Sequence, residues 1–144
     1  MTDIDVSVLL DTNALIYLAN DMPFRDEAMQ ALASSANQRR LFVSPVSAWE
    51  VGNISRPSNR RRSIDFLPDA TIWFRDVMTG LDARLTPLTV EIGIAAAYLP
   101  DGLNADPADR LLTATARAIG ATLITRDRDI LAYAALGHVR AIAC

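Results

Sequence analysis

Residues 106–129 read DPADRLLTATARAIGATLITRDRD, a stretch that holds a helix, a strand and the start of another helix. Pro107 suits the first turn of a helix, where a backbone N–H has no intrahelical partner, and Gly120 suits its end. The next residues, ATLIT at 121–125, show almost no polar alternation, the pattern of a strand buried on both faces in the middle of a parallel sheet. The same alternation of strand and helix extends outward in both directions. VSVLL (6–10) reads as a buried strand, followed by a helix from about Asn13 to Asn20. Pro23 opens a second helix through PFRDEAMQALASSA, with acids early where the helix dipole favours them. LFVS (41–44) is a second strand, and SAWEVGNI (47–54) begins a third helix. RPSNRRRSIDFLP (56–68) is the one stretch with the composition of a flexible connection. A helix through DATIWFRDVMTGL, a short strand at RLTPL and a helical TVEIGIAAAYL come next. A short helix, DILAYAA, and a last strand, HVRAI, close the chain. This order predicts an α/β fold, a three-layer α/β/α sandwich with a mainly parallel central sheet, in a single domain over residues 1–144.

Composition narrows the chemistry. The 144 residues are 51% apolar, ample for one core, and no apolar run is long enough to cross a bilayer. The start, MTDIDVSVLL, is acidic where a signal peptide would be basic, so a cytoplasmic protein without membrane attachment is expected. Cys144 is the only cysteine and His138 the only histidine, which excludes a disulfide framework and a histidine acid–base pair and argues against a His/Cys zinc site. All 14 basic residues are arginine, so neither Schiff-base chemistry nor a P-loop is available. The net charge of −3 opposes indiscriminate coating of nucleic acid, but an acidic catalytic site would itself lower the net charge.

Four acidic motifs fall where a strand or loop gives way to a helix: LLDTN with Asp11, SPVSAWE with Glu50, NADPADR with Asp106 and Asp109, and TRDRD with Asp127 and Asp129. Ligands of open α/β sheets collect outside the carboxyl ends of the strands, and each motif is placed to face that edge. Carboxylates crowded there would repel until a proton or cation relieved them, and Mg²⁺ or Mn²⁺ suits an all-oxygen set. The competing reading is that each acid caps its own helix. It fits Asp106, Asp127 and above all Asp129, read as a helix-start charge. It fits Asp11 less well, since Thr12 and Asn13 supply more polar groups than one cap needs, and Glu50 less well, inside an apolar helix start.

LLDTNALIYL, SPVSAWEV, DPADRLLTATA and LITRD, in this order and spacing, resemble the PIN-domain ribonucleases, and among them the VapC toxins of bacterial toxin–antitoxin pairs. The likeness runs from Val8 to about Ala135. It implies an endoribonuclease dependent on Mg²⁺ or Mn²⁺, held inactive by a VapB-type antitoxin and forming a homodimer. By matching position, Asp11, Glu50 and Asp109 would be the principal acids, Asp127 a more variable fourth and Asp106 a secondary metal contributor. Thr12, Asn13, Ser47 and Thr125 match polar positions that orient the acids or a water. Arg110 matches a basic position that pairs with an acid or contacts phosphate. The chain departs from many relatives at Asn104, where they carry His, and after Glu50, where Pro57 is expected to stop a helix that others continue.

Arg56, Arg60, Arg61 and Arg62 form the one dense positive cluster, suited to RNA phosphates beside an acidic site or to an acidic antitoxin segment, or else a solvated loop. Trp73 and Phe74 read as core or dimer contacts rather than base-stacking platforms. Two other function classes compete. A phosphoacceptor domain also uses a strand-end aspartate but relies on a lysine this chain lacks, and a phosphatase with a DxD first strand needs a second acid that DTN does not supply. A catalytically silent PIN-like module that only binds a partner is the third possibility.

Overall fold

The computed structural model describes residues 6–58 and 65–144. Five strands form one sheet: β1 (Val8–Leu10), β2 (Leu41–Val43), β3 (Arg84–Leu85), β4 (Thr122–Thr125) and β5 (Ala141–Ala143). Their order across the sheet is β3-β2-β1-β4-β5, and every neighbouring pair is parallel. The helices between them are α1 (Thr12–Ala19), α2 (Asp26–Asn37), α3 (Pro45–Ser55), α4 (Ala70–Leu81), α5 (Val90–Ala97), α6 (Pro107–Ile119) and α7 (Arg128–Ala135).

Alternation along the central strands divides the core into two layers. Val8 and Leu10 point to one face, where they pack with Leu15 of α1, Leu32 of α2 and Phe74 of α4. Leu9 and Leu123 point to the other, against Leu112 of α6 and Ile130 and Tyr133 of α7. Both faces of β1 are fully buried, which explains why its sequence shows no polar alternation. The predicted three-layer α/β/α architecture with a parallel sheet is the one observed.

Several element boundaries differ from the sequence expectation, each for a local reason. Helix α2 begins at Asp26 rather than Pro23, because Phe24 turns into the core ahead of it. Helix α3 begins earlier than Ser47. Ser44 caps it by accepting the Val46 N–H at 3.0 Å, and Pro45 takes the first position. The helix ends at Ser55, before Pro57, as expected. Within the stretch read as flexible, Phe66 is buried and meets Trp73 edge-on at 4.7 Å, so its far end is anchored to the core. Trp73 and Phe74 pack in that core, as their sequence context suggested.

Strand order reverses at β1: successive strands step one way to β2 and β3, then β4 and β5 add on the other side. The loops leaving β1 and β4 therefore part at their carboxyl ends and open a crevice there. Asp11 follows β1 and Asp127 follows β4, one on each side of it.

Candidate active site

Asp11 is 5% exposed. Its backbone N–H continues the sheet by donating to the Ile124 carbonyl at 3.1 Å. Its carboxylate Oδ1 accepts the Ala14 N–H at 2.7 Å and so caps α1. The Thr125 hydroxyl at the end of β4 hydrogen-bonds the same carboxylate. Next to it, the buried Thr12 hydroxyl stands between Ser47 Oγ, at 3.0 Å, and Glu50 Oε1. One hydroxyl has one proton to give. If Thr12 gives it to the carboxylate, Ser47 must donate to Thr12, and the relay from Ser47 through Thr12 sets the direction of Glu50. Ser47 and Glu50 are three residues apart and share a face of α3, which brings both to α1.

The other acids arrive from the amino ends of α6 and α7. Asp106 caps α6 by accepting the Asp109 N–H at 3.0 Å, and Asp127 caps α7 by accepting the Asp129 and Ile130 N–H groups at 2.8 and 3.1 Å. The capping readings of Asp106 and Asp127 are thus met in the fold, and Asp11 caps as well. In each case the capping bonds use Oδ1 and leave Oδ2 for other partners.

Asp129 stands closer to the other acids than its sequence position suggested. Asn104 donates through Nδ2 to Asp109 Oδ2 at 3.1 Å and to Asp129 Oδ2 at 2.8 Å, tying an exposed helix-start charge to the acidic group. Arg110 departs from expectation in the opposite sense. Its half-buried guanidinium pairs with no acid among the described residues but donates to the carbonyls of Ala96, Ala97 and Asn104 at 3.0, 3.3 and 3.2 Å. It closes the carboxyl end of α5, where the helix dipole favours a cation. Asn13 is exposed in the first turn of α1, and Arg56 follows the end of α3. Arg60, Arg61 and Arg62 lie outside the described residues.

Burial shifts these carboxylates most, and the charges of neighbouring acids add to it. Burial pushes Asp11 up to about 6, opposed by its Thr125 and Ala14 hydrogen bonds and reinforced by Glu50 and Asp127. Burial is also the main cause that raises Asp109 to about 6; the Asn104 hydrogen bond opposes it, and Asp127, Asp106 and Glu50 add to it. Glu50 is raised by burial and by Asp106, against the Thr12 hydrogen bond. The charges felt by all three are those of other acids. Among the described residues no three His, Cys, Asp or Glu side chains lie close enough to enclose an ion as they stand. The donor set nevertheless suits a hard divalent cation, because it is all oxygen and its acids repel one another when ionised. A small cavity of about 180 Å³ opens beside Glu50 and Asp106, walled by Trp49, Asn53 and Ile54.

A family model described as PIN domain matches residues 8–136. No curated protein gives a significant match. Among solved structures, VapBC2 from Rickettsia felis bound to a DNA fragment from its promoter aligns with TM-score 0.65 at 15% identity, over 96% of this chain and 98% of that one. VapBC-1 from nontypeable Haemophilus influenzae aligns with TM-score 0.61 at 16% identity over the same shares. A toxin–antitoxin complex from Klebsiella pneumoniae aligns with TM-score 0.57 at 22% identity, over 86% of this chain and 90% of that one. At these identities the likeness is one of fold.

Proposed function

Since the chain belongs to the PIN-domain family, we propose that it is a VapC-type toxin, a divalent-cation-dependent endoribonuclease restrained by a VapB-type antitoxin. The observation that carries this reading is the convergence of carboxylates from β1, α3, α6 and α7 on one crevice, with Asp11 and Asp109 pushed up to about 6 by burial and by their neighbours. Acids that served only their own helices would have no reason to gather, and Glu50 caps no helix at all. A silent binding module would have no use for so costly an arrangement.

Asp11, Glu50, Asp109 and Asp127 would hold Mg²⁺ or Mn²⁺, with Asp106 as a further contributor. When bound, such an ion supplies Lewis acidity that activates water and offsets negative charge on the phosphate under attack. The protein's part is positioning. Thr125 orients Asp11, and the Ser47–Thr12 relay orients Glu50. Helix amino ends at α1, α6 and α7 face the same crevice and favour its negative charge. Arg56, with Arg60, Arg61 and Arg62, would grip RNA phosphates. Replacing all four with Gln should weaken RNA binding and flatten its salt dependence.

The partners follow from the same reading. Solved structures with the fold of this chain include toxin–antitoxin complexes, which supports an antitoxin partner. A homodimer is supported by the apolar face of α5, where Val90 and Ile94, with Tyr98 just past the helix end, are 75, 56 and 84% exposed at four-residue spacing.

The deciding experiment is RNA cleavage by the purified chain with and without Mg²⁺ or Mn²⁺, alongside Asp11→Asn. Cleavage is expected only with the cation, and the variant should lose roughly a hundredfold or more of the activity. Equal cleavage by Asp11→Asn would sink the proposal.

A further inference from the structure

We infer that Asn104 is a positioning residue for the acidic site, and that through its forked amide Asp129 becomes a working member of the acid set. This rests on the cation-binding reading above.

The direction of the Asn104 amide is settled by its surroundings. Oδ1 accepts the Asp106 backbone N–H at 2.9 Å, a donor that only the oxygen end can satisfy. The Nδ2 end must then face the other way, where Asp129 Oδ2 lies at 2.8 Å and Asp109 Oδ2 at 3.1 Å. A primary amide nitrogen carries two N–H groups, so each carboxylate receives its own. Turned over, the amide would set its oxygen against two carboxylates and strand the Asp106 N–H. One side chain thereby ties together the loop before α6, the first turn of α6 and the first turn of α7.

The consequence falls on Asp109 and Asp129 together. Asp109 has Oδ2 held by Asn104, and the acids acting on it are Asp127, Asp106 and Glu50. Asp129 is joined to the same group twice, by Asn104 at its side chain and by Asp127 at its backbone N–H. A neutral donor is the appropriate crosspiece. An arginine there would orient the acids equally well but would neutralise the charge meant for a cation, and a carboxylate would push them apart. Asn104 orders two carboxylates and leaves their charge intact. Outer partners of this kind, bonded to ligands rather than to the ion, tune affinity by about 10–100-fold.

The test is Mn²⁺ binding measured by electron paramagnetic resonance on the full chain, comparing the parent with Asn104→Ala, Asp129→Ala, the double variant and Asp11→Asn. Asn104→Ala is expected to weaken Mn²⁺ binding about tenfold and Asp129→Ala by about three- to tenfold. Because Asp129 acts through Asn104, the double variant should bind within about twofold of Asn104→Ala, whereas independent effects would multiply. Asp129 is exposed, so its variant keeps the test open if Asn104→Ala folds poorly. Parent-like binding in both single variants, with binding lost in Asp11→Asn, would overturn the positioning role and leave the cation site standing. Multiplied losses in the double variant would overturn the coupling. No Mn²⁺ binding by the parent itself would overturn the underlying function and this inference with it.

Discussion

At the scale of a single residue, Asp11 is asked to be three things: the last link of a sheet hydrogen bond, a helix cap and a buried negative charge. The first two need only its backbone and one oxygen, and the third is a cost. Its carboxyl titrates near 6 in the fold against an ordinary 3.8, so the folded chain holds its proton more tightly than the unfolded one. Between those two values the folded state carries more protons, and stability falls as pH rises. Above about 6 the loss is complete. Asp109 acts in the same direction. The melting temperature of the cation-free protein should therefore decline across this window and then level off, as calorimetry at a series of pH values would reveal. Asp11→Asn keeps an oxygen for the Ala14 N–H and removes the charge. At neutral pH it should raise the cation-free melting temperature by several degrees, corresponding to roughly 2–3 kcal/mol. A variant that melts below the parent would show that the charge is already well compensated and that the site does not need a cation.

At the scale of elements, the acids sit where they do because helices begin there. Asp106 and Asp127 are caps in full geometry, and being caps is what points them into the crevice. The two readings that compete in the sequence are thus compatible in space. The central strands and α6 were legible because their signals are local: apolar runs without alternation for β1 and β4, Pro107 and Gly120 for α6. The start of α3 was obscured because Ser44 completes an apolar strand and caps a helix at once. The Asn104–Asp129 link was not legible, since it joins residues 25 apart through the shape of a loop. The partners of Arg110 were not legible either, as its three acceptors are carbonyls, which leave no trace in a sequence. Its role has a measurable consequence. Arg110→Met should cost about 1–3 kcal/mol of stability by stranding charge-assisted bonds at the end of α5, while RNA affinity and its salt slope stay as in the parent. A variant that melts normally and binds RNA more weakly would return Arg110 to the phosphate-binding group.

For the molecule as a whole, a parallel sheet with its strand order reversing at β1 makes one place where loops from separate units must part, and the chain has gathered its acids there. Proton and cation then compete for the same oxygens, which couples pH, Mg²⁺ and global stability. At pH values near 4 the raised acids are largely protonated and Mg²⁺ should barely change the melting temperature. As pH rises through about 6, Asp11 and Asp109 ionise, the cation-free fold weakens, and the stabilisation from Mg²⁺ should grow. At a hundredfold excess over its dissociation constant, a cation bound only by the folded state contributes about 2.7 kcal/mol, or on the order of 5–10 °C in a chain of this size. Sodium chloride at matched ionic strength separates this from screening, which acts on all surface charges alike. Melting curves over a grid of pH and Mg²⁺ should thus show a shift that opens with pH and is absent with sodium. A shift of the same size at every pH, or none at any, would mean that the raised acids do not share a cation, and the crevice would then be an acidic surface rather than a metal-dependent centre.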